Sequence, residues 1–226
     1  MRPSRRDHER QQTPSPGTIT AIESQTRDPD RVSVFIDGSF AFGIARDVAD
    51  QAAISQGDVL DIEAIRALLA QESRHRALST ALAYLAHRPR SEAEIRARLR
   101  RNSHDDETID NVLERLRDWH YVDDEDFARR WVENRVVHRP RGTRALASEL
   151  RSKGIDPDLI STAIDDAGVN EDDGALALAR NRARQLANLE PDVRNRRLTG
   201  YLARRGYGYD VIRRTLEALE SGPDDE

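Results

Sequence analysis

Basic side chains stand at equivalent positions of a sequence that the chain repeats. The tetrapeptide HRPR occupies residues 87–90 and returns unchanged at residues 138–141. Guanidinium and ammonium groups at a regular spacing can bind the phosphates of a nucleic acid or the carboxylates of an acidic protein surface. Ten residues are therefore candidates for binding: Arg88, Arg90, Arg139, Arg141, Arg144, Arg151, Lys153, Arg196, Arg204 and Arg205.

The repeat extends through three copies with periods of 51 and 52 residues. Three leucines align first, and three isoleucines then align ten residues later: Leu99, Leu150 and Leu202, then Ile109, Ile160 and Ile212. Four residues after the leucines stand Ser103, Gly154 and Gly206, where a helix that stops and turns favours a residue tolerant of positive φ. Repeats of this length indicate stacked units that present a surface to a partner.

Apolar residues at three- and four-residue spacings predict three helices in each copy. Ser91 followed by Glu94 predicts a capping box, and Asp156 followed by Pro157 predicts a second helix start. The predicted fold is mainly α, an elongated tandem array of three three-helix repeats behind a small β-rich module. We place the repeats at residues 74–122, 123–168 and 169–220.

The β-rich module is predicted at residues 17–73 as a three-stranded antiparallel sheet with short helices. Its strands are expected at residues 18–22, 31–36 and 39–44, and its helices at residues 45–54 and 61–72. Asp28-Pro29-Asp30 and Asp37-Gly38 are the expected turns, and Asp61 is the expected cap of the second helix. We predict a disordered tail at residues 1–16 and an acidic tail at residues 221–226.

Composition excludes several classes of protein. The 226 residues include no cysteine, so disulfides and thiolate metal sites are excluded, and no apolar run approaches the ~20 residues of a membrane span. The sequence lacks a phosphate-binding loop, a nucleophile elbow and a metal-ligand triplet. We therefore expect a monomeric cytoplasmic protein that is not an enzyme, with no catalytic residues, no cofactor, no metal and no membrane partner.

Charge alternates in blocks that follow the repeat. The net charge is +6 for residues 74–101, −8 for 102–128, +6 for 129–153, −7 for 154–173 and +7 for 174–214. If the repeats stack in one orientation, the basic blocks align along one flank that can bind a polyanion despite a total charge of −5. The alternative is that the charges only complement helix dipoles, as is expected for Asp123, Asp124, Asp156 and Asp158.

The aromatic residues divide into two groups. Trp119, Tyr121, Phe127 and Trp131 lie where the first two repeats adjoin in sequence, and we predict that they form a core between those repeats rather than platforms for base stacking. For Tyr207 and Tyr209 the sequence leaves both interpretations open.

Several motifs, in a fixed order along the chain, are specific to a known family. They are SEAEIRARL at residues 91–99, YVDDEDF at 121–127, RG at 141–142, ELRSKGI at 149–155 and YLARRGY at 201–207. Over roughly residues 75–219 they resemble the RecX family, the regulatory proteins of the RecA recombinase. FIDGSFAFG at residues 35–43 is similar to the N-terminal extension of some members, whereas Asn102-Ser103-His104 departs from the family pattern of a basic residue, a glycine and an apolar residue.

This resemblance implies a non-enzymatic negative modulator. Such a protein binds the filament of RecA on single-stranded DNA, in its helical groove, and inhibits filament growth, ATP hydrolysis, strand exchange and coprotease activity. It would thereby regulate DNA repair, recombination and the SOS response. Two alternatives remain: a nucleic-acid-binding repeat protein that acts without a recombinase, and a protein-binding scaffold whose charges serve only solubility.

Overall fold

The structure, a computed structural model, describes residues 14–221. These residues form two compact units. One contains the described chain up to His87 together with Arg98–Arg115, and the other contains Arg88–Ala97 together with the described chain from Leu116 onward. Of the predicted tails at residues 1–16 and 221–226, residues 1–13 and 222–226 lie outside the described residues.

The first unit begins with the predicted antiparallel sheet. Its three main strands are β1 (Gly17–Gln25), β2 (Asp28–Ile36) and β3 (Ser39–Ala45), and a two-residue strand, β4 (Val59–Leu60), extends the sheet beyond β1 in the order β3-β2-β1-β4. The Asp37-Gly38 turn is confirmed, and both residues have positive φ, at 50° and 79°, as a two-residue hairpin turn requires. The other predicted turn is wrong: the chain turns at residues 26–27, and Asp28 and Pro29 start β2, where proline needs no ladder partner.

Two helices cover the buried face of this sheet. They are α1 (Arg46–Gln51) and α2 (Ile62–Leu85), and α2 begins as predicted at Asp61, whose carboxylate accepts the N–H of Ala64 at 2.8 Å. Glu72 on α2 is buried and accepts hydrogen bonds from Arg31 and from the N–H of Ala45, each at 2.7 Å. This carboxylate therefore fixes α2 to two strands, and its burial is tolerated because both oxygens are bonded.

Helix α2 is continuous where the sequence predicted two separate helices. The first was expected to end at residue 72, and the second to be marked by Leu78, Leu82 and Leu85, yet all lie on one 24-residue helix. Apolar periodicity persists through this segment, and it contains neither a proline nor a glycine that would end a helix.

Eight further helices complete the described chain. They are α3 (Glu92–Arg101), α4 (Asp106–Asp118), α5 (Asp124–His138), α6 (Thr143–Ser152), α7 (Pro157–Asp166), α8 (Glu171–Gln185), α9 (Pro191–Ala203) and α10 (Tyr209–Glu220). The second repeat, α5 to α7, closes over a core that includes Leu146 and Leu150, and the third, α8 to α10, closes over one that includes Ala179 and Leu202. Full burial of a leucine contributes about 1.5–3 kcal/mol, so these side chains dominate the stability of each repeat.

The same helix stop recurs in all three repeats. Ser103, Gly154 and Gly206 have positive φ, at 62°, 77° and 87°, as the aligned sequence predicts. In each case the N–H of the following residue bonds to the carbonyl of the aligned leucine, over 3.2–3.3 Å. This six-to-one bond is the signature of the Schellman motif, so the three copies share backbone geometry as well as sequence.

Candidate nucleic-acid interface

Two joints between repeats position most of the candidate basic residues. In the first joint, the Ser91 hydroxyl donates to the Lys153 carbonyl at 2.6 Å, and the N–H of Glu92 donates to Asp124 at 2.9 Å. Ser91 is fully buried and also accepts the N–H of Glu94 at 3.2 Å, which confirms the predicted cap. The first turn of α3 is thus held by groups from α5 and from the end of α6.

The second joint repeats this arrangement with different residues. The N–H of Gly142 donates to the Arg205 carbonyl at 3.0 Å, and the N–H of Thr143 donates to Glu171 at 2.7 Å. In both joints, the acidic residue that begins the first helix of the following repeat, Asp124 or Glu171, accepts one of these N–H groups. The residue before the turn glycine supplies the backbone carbonyl that accepts the other hydrogen bond. The basic residues at those carbonyls, Lys153 and Arg205, are therefore structurally equivalent.

Close packing at each joint requires the turn glycine. A methyl group at Gly154 would overlap the side chain of Ala93, whereas one at Gly206 would overlap the backbone of Ala145. Gly142 in turn lies so close to Gly206 that a methyl group would overlap the Gly206 carbonyl.

A carboxylate within the first joint neutralises two of the candidate residues. Glu94 forms ion pairs with Arg88 at 2.7 Å and with Lys153 at 3.3 Å. Lys153 is only 15% exposed, and its ammonium group lies 4.4 Å from the centre of the Trp131 ring. Burial alone would raise the pKa of the Glu94 carboxyl, but the Arg88 hydrogen bond and the charges of Lys153 and Arg88 outweigh it and lower the pKa. Lys153 and Arg88 therefore serve the fold.

Three other candidates are also engaged within the protein. Arg141 pairs with Glu149 at 2.9 Å, and Arg205 stacks on the Tyr201 ring with 3.8 Å between the guanidinium carbon and the ring centre. Glu149 also accepts hydrogen bonds from Trp131 at 2.9 Å and Arg135 at 2.8 Å. Arg90 is half-buried and has an interaction partner as well.

The remaining five candidates are exposed arginines. They are Arg139, Arg144, Arg151, Arg196 and Arg204. Within residues 14–221, no carboxylate forms an ion pair with these arginines, and their guanidinium groups form no side-chain hydrogen bond. An exposed guanidinium without an internal partner keeps all five donors for an external anion.

Three adjoining depressions bring most of these arginines together. Arg139, Arg141, Arg204 and Arg205 line the first, of about 510 Å³, with His138. Arg144 and Arg204 line the second, of about 420 Å³, and Arg144 and Arg151 line the third, of about 530 Å³. Because Arg204 and Arg144 are each shared by two depressions, the three adjoin one another. We call this the arginine surface: Arg139, Arg141, Arg144, Arg151, Arg204 and Arg205.

The other four candidates do not line these depressions. Arg196 lies on α9 and is exposed, while Arg88, Arg90 and Lys153 belong to the first joint or the turn before it. The arginine surface thus draws on the second and third repeats. The basic residues themselves do not separate the two groups in an alignment, because equivalent positions of different repeats carry the same residue types.

One of the two tyrosines whose role the sequence leaves open lies beside the arginine surface. Tyr209 is 75% exposed and lines the second depression beside Arg144 and Arg204. Tyr207 lines the same depression but is buried, and burial together with the Glu171 charge raises its pKa to about 12. Tyr209 can therefore offer a ring face to a ligand, whereas Tyr207 belongs to the core of the third repeat.

The predicted aromatic core between the first two repeats is only partly correct. Phe127 and Trp131 stack at 5.8 Å between ring centres and pack within the second repeat's own core. Trp119 and Tyr121 are 42% and 59% exposed, so the prediction is wrong for them. Their turn follows α4 and places both rings on the surface.

Neither a metal-binding cluster nor a membrane-spanning helix is found among residues 14–221. Among residues 14–221, no cluster of three or more histidine or acidic side chains could hold a metal ion. In the same range, no helix combines the length and apolar character needed to cross a membrane.

Comparison with known proteins gives matches along most of the chain. Family models match in order: the regulatory protein RecX N-terminal domain at residues 17–61, and the first, second and third RecX three-helix domains at residues 77–116, 123–164 and 170–216. The regulatory protein RecX of Mycobacterium sp. (strain KMS) is 42% identical over 135 residues, which cover 58% of this chain and 74% of that protein. The chain belongs to the RecX family. The resemblance found in the sequence motifs is thereby confirmed.

More distant RecX proteins match over a greater length. The regulatory protein RecX of Clostridium botulinum (strain Alaska E43 / Type E3) is 28% identical over 200 residues, covering 86% of this chain and 92% of the relative. A crystal structure of regulatory protein RecX superposes with a TM-score of 0.69 at 26% identity, covering 89% of this chain and 99% of that one. The RecX structure from Lactobacillus salivarius, at 20% identity and a TM-score of 0.60, shares the fold over 67% of this chain.

Proposed function

We propose that this RecX-family chain is a non-catalytic negative modulator of the RecA recombinase in the cytoplasm. It binds the filament of RecA on single-stranded DNA, in its groove, and inhibits filament growth, ATP hydrolysis, strand exchange and coprotease activity. DNA repair, recombination and the SOS response are regulated as a consequence. Membership of a family of regulatory proteins supports the general role, and the arginine surface supports the mode of binding.

The observation that carries this proposal is that the depressions of the arginine surface adjoin through shared arginines. Arg144 and Arg204 are each shared by two depressions and have no carboxylate partner within residues 14–221. A protein of net charge −5 that leaves guanidinium groups unneutralised in adjoining depressions has a local binding site for a polyanion. Successive phosphates of a strand held in a filament groove supply such a polyanion.

Charge reversal at the two shared arginines tests the proposal. The double variant Arg144→Glu/Arg204→Glu should bind the RecA filament on single-stranded DNA at least about tenfold more weakly, because two attractive contacts become repulsive. ATP hydrolysis by the filament should then be inhibited only at correspondingly higher protein concentrations. Filament affinity and ATPase inhibition are measured with the same preparations.

Arg66→Glu is the matched control for this experiment. Arg66 is exposed, lies on α2 in the first unit and pairs with the neighbouring Glu63 at 3.0 Å. Its reversal adds the same kind of charge without touching the arginine surface, so filament affinity should change by less than about twofold. Equal losses for both variants, or unchanged inhibition by the double variant, would contradict the proposal.

A second candidate function is favoured by Tyr209. An exposed ring beside two unpaired arginines suits a single strand whose bases stack while its phosphates meet the guanidinium groups. This chain would then bind single-stranded nucleic acid without a recombinase. This function would be favoured over the first if the protein bound bare single strands strongly, if that binding depended on Tyr209, and if the protein had no effect on the RecA filament.

A further inference from the structure

An exposed aromatic pair lies between α4 and α5, apart from the residues of the arginine surface. Trp119 and Tyr121 are 42% and 59% exposed, and their rings meet edge to face with 6.0 Å between centres and 82° between planes. Tryptophan and tyrosine are the residues that most often dominate binding energy at protein interfaces. Two such rings exposed side by side are therefore a candidate protein interface.

The backbone holds this pair in place. His120 adopts a positive φ of 55°, and the N–H groups of His120 and Tyr121 bond to the carbonyls of Arg117 and Leu116 at 2.8 and 2.9 Å. The next residue, Val122, is buried at 3% exposure. A loop fixed at both sides loses little conformational freedom when a partner binds, which favours affinity.

Charge around the pair decides what kind of partner it fits. Asp118 and Glu125 are exposed, and within residues 14–221 neither carboxylate has a hydrogen-bond or ion-pair partner. The basic neighbour Arg117 is already paired with Glu92. In sequence, exposed negative charge thus stands on both sides of the pair, and such charge repels nucleic acid phosphates and attracts lysine and arginine side chains.

We propose that Trp119 and Tyr121 form a docking surface for a protein that presents lysine or arginine side chains beside an apolar pocket. The rings fill the pocket, while Asp118 and Glu125 pair with the surrounding basic groups. Resting on the proposed function, this inference identifies the partner as the basic protein surface of a recombinase subunit. The arginine surface meets phosphate, and the aromatic pair meets protein.

Two variants test the docking surface in different ways. Tyr121→Ala together with Trp119→Ala removes the rings, and Asp118→Lys together with Glu125→Lys reverses the charge while leaving the rings and the core intact. Each should weaken binding to the RecA filament by about tenfold or more, and neither should weaken binding to bare single-stranded DNA. Phe40→Ala is the control, because Phe40 is an equally exposed aromatic, at 59%, on the hairpin of the first unit.

A second arm separates this inference from the proposed function. A fluorescein-labelled 12-residue peptide of alternating lysine and leucine is titrated at low salt with each protein, and both double variants should bind it at least about tenfold more weakly than the wild type and Phe40→Ala. If the peptide binds the wild type more tightly than the two double variants, but the wild type does not bind the filament, the proposed function is overturned and the docking surface is retained. Filament binding and peptide binding that are both unchanged in the two variants would overturn the docking surface alone.

Discussion

The two joints between repeats share one backbone design and differ in charge. In both, the residue before the turn glycine, Lys153 or Arg205, supplies the carbonyl that holds the next helix start. In the first joint, Glu94 neutralises Lys153, whereas the position equivalent to Glu94 is Ala145 in the second joint, and Arg205 stacks on Tyr201. The replacement of glutamate by alanine at this position thus separates a basic residue that stabilises the fold from one that lines the proposed anion-binding surface.

The difference shows that equivalence in a repeat fixes position but not role. Arg88 and Arg139 align in sequence, yet Arg88 pairs with Glu94 at 2.7 Å and Arg139 faces the first depression without an ion-pair partner in the described chain. The proposed binding surface is therefore confined to the second and third repeats, although the basic pattern extends over all three.

The largest predicted effect comes from the glycines that close the joints. Gly206→Ala should lower the free energy of unfolding by about 3 kcal/mol, because φ is 87° and the methyl group would overlap the Ala145 backbone. Gly154→Ala should also lower it by about 2–3 kcal/mol, because φ is 77° and the added methyl group would overlap the Cβ of Ala93, which has no side-chain torsion about which to move away. Urea denaturation measures both.

Gly168→Ala is the control for this pair. Gly168 has a φ of 55° but open space around it, so only the cost of left-handed backbone applies, about 1 kcal/mol. Three equal losses would show that close approach at the joints is not what these glycines provide.

A smaller effect is expected from the carboxylate that distinguishes the joints. Glu94→Gln should lower the free energy of unfolding at neutral pH by about 1–2 kcal/mol, because Arg88 and Lys153 lose a charged hydrogen-bond acceptor. The folded pKa of Glu94 lies below its usual value of 4.5, so the stability it contributes is fully present above pH 4.5 and is lost as the pH falls through the folded pKa.

Comparison of unfolding at pH 7 and at acid pH checks this sign. The gap between wild type and Glu94→Gln should narrow as the pH falls below 4.5. A gap that widens on acidification would mean that Glu94 does not act through its ionised form, and the contrast between the two joints would lose its basis.

The smallest effect concerns the turn of the first repeat. Ser103 adopts a φ of 62° at the position where the other two repeats have glycine. Ser103→Gly should therefore raise the free energy of unfolding by about 1 kcal/mol, because glycine removes the steric cost of left-handed backbone. A loss of stability in urea denaturation would indicate that the serine side chain has a structural role of its own.

Local features of this fold were predictable from the sequence, because their causes lie within a few residues. Asp37-Gly38 forms its hairpin turn, Asp61 and Asp123 cap their helices, and the three aligned stops have the same hydrogen bond. The two-residue strand β4 was missed, since two residues give no detectable pattern. The continuity of α2 was missed because no local signal separates one long helix from two short ones.

The candidate site was less predictable, because its character depends on contacts between distant residues. Lys153 is neutralised by Glu94, 59 residues away in sequence, and Asp124, the first residue of α5, accepts an N–H at the start of α3. Trp119 and Tyr121 looked like core by composition, yet a turn at His120 exposes them. Sequence gave the residue types that could bind an anion, whereas the fold determines which of them remain available.

The salt dependence of binding to single-stranded DNA tests the central contrast most directly. Each lost phosphate contact reduces the slope of log affinity against log salt concentration by roughly 0.7 for single strands. Arg144→Gln and Arg204→Gln should each show such a reduction, and Arg88→Gln, whose guanidinium is committed to Glu94, should leave the slope unchanged. Equal reductions for all three variants, or none for Arg144→Gln and Arg204→Gln, would contradict the assignment of the second and third repeats as the phosphate-binding surface.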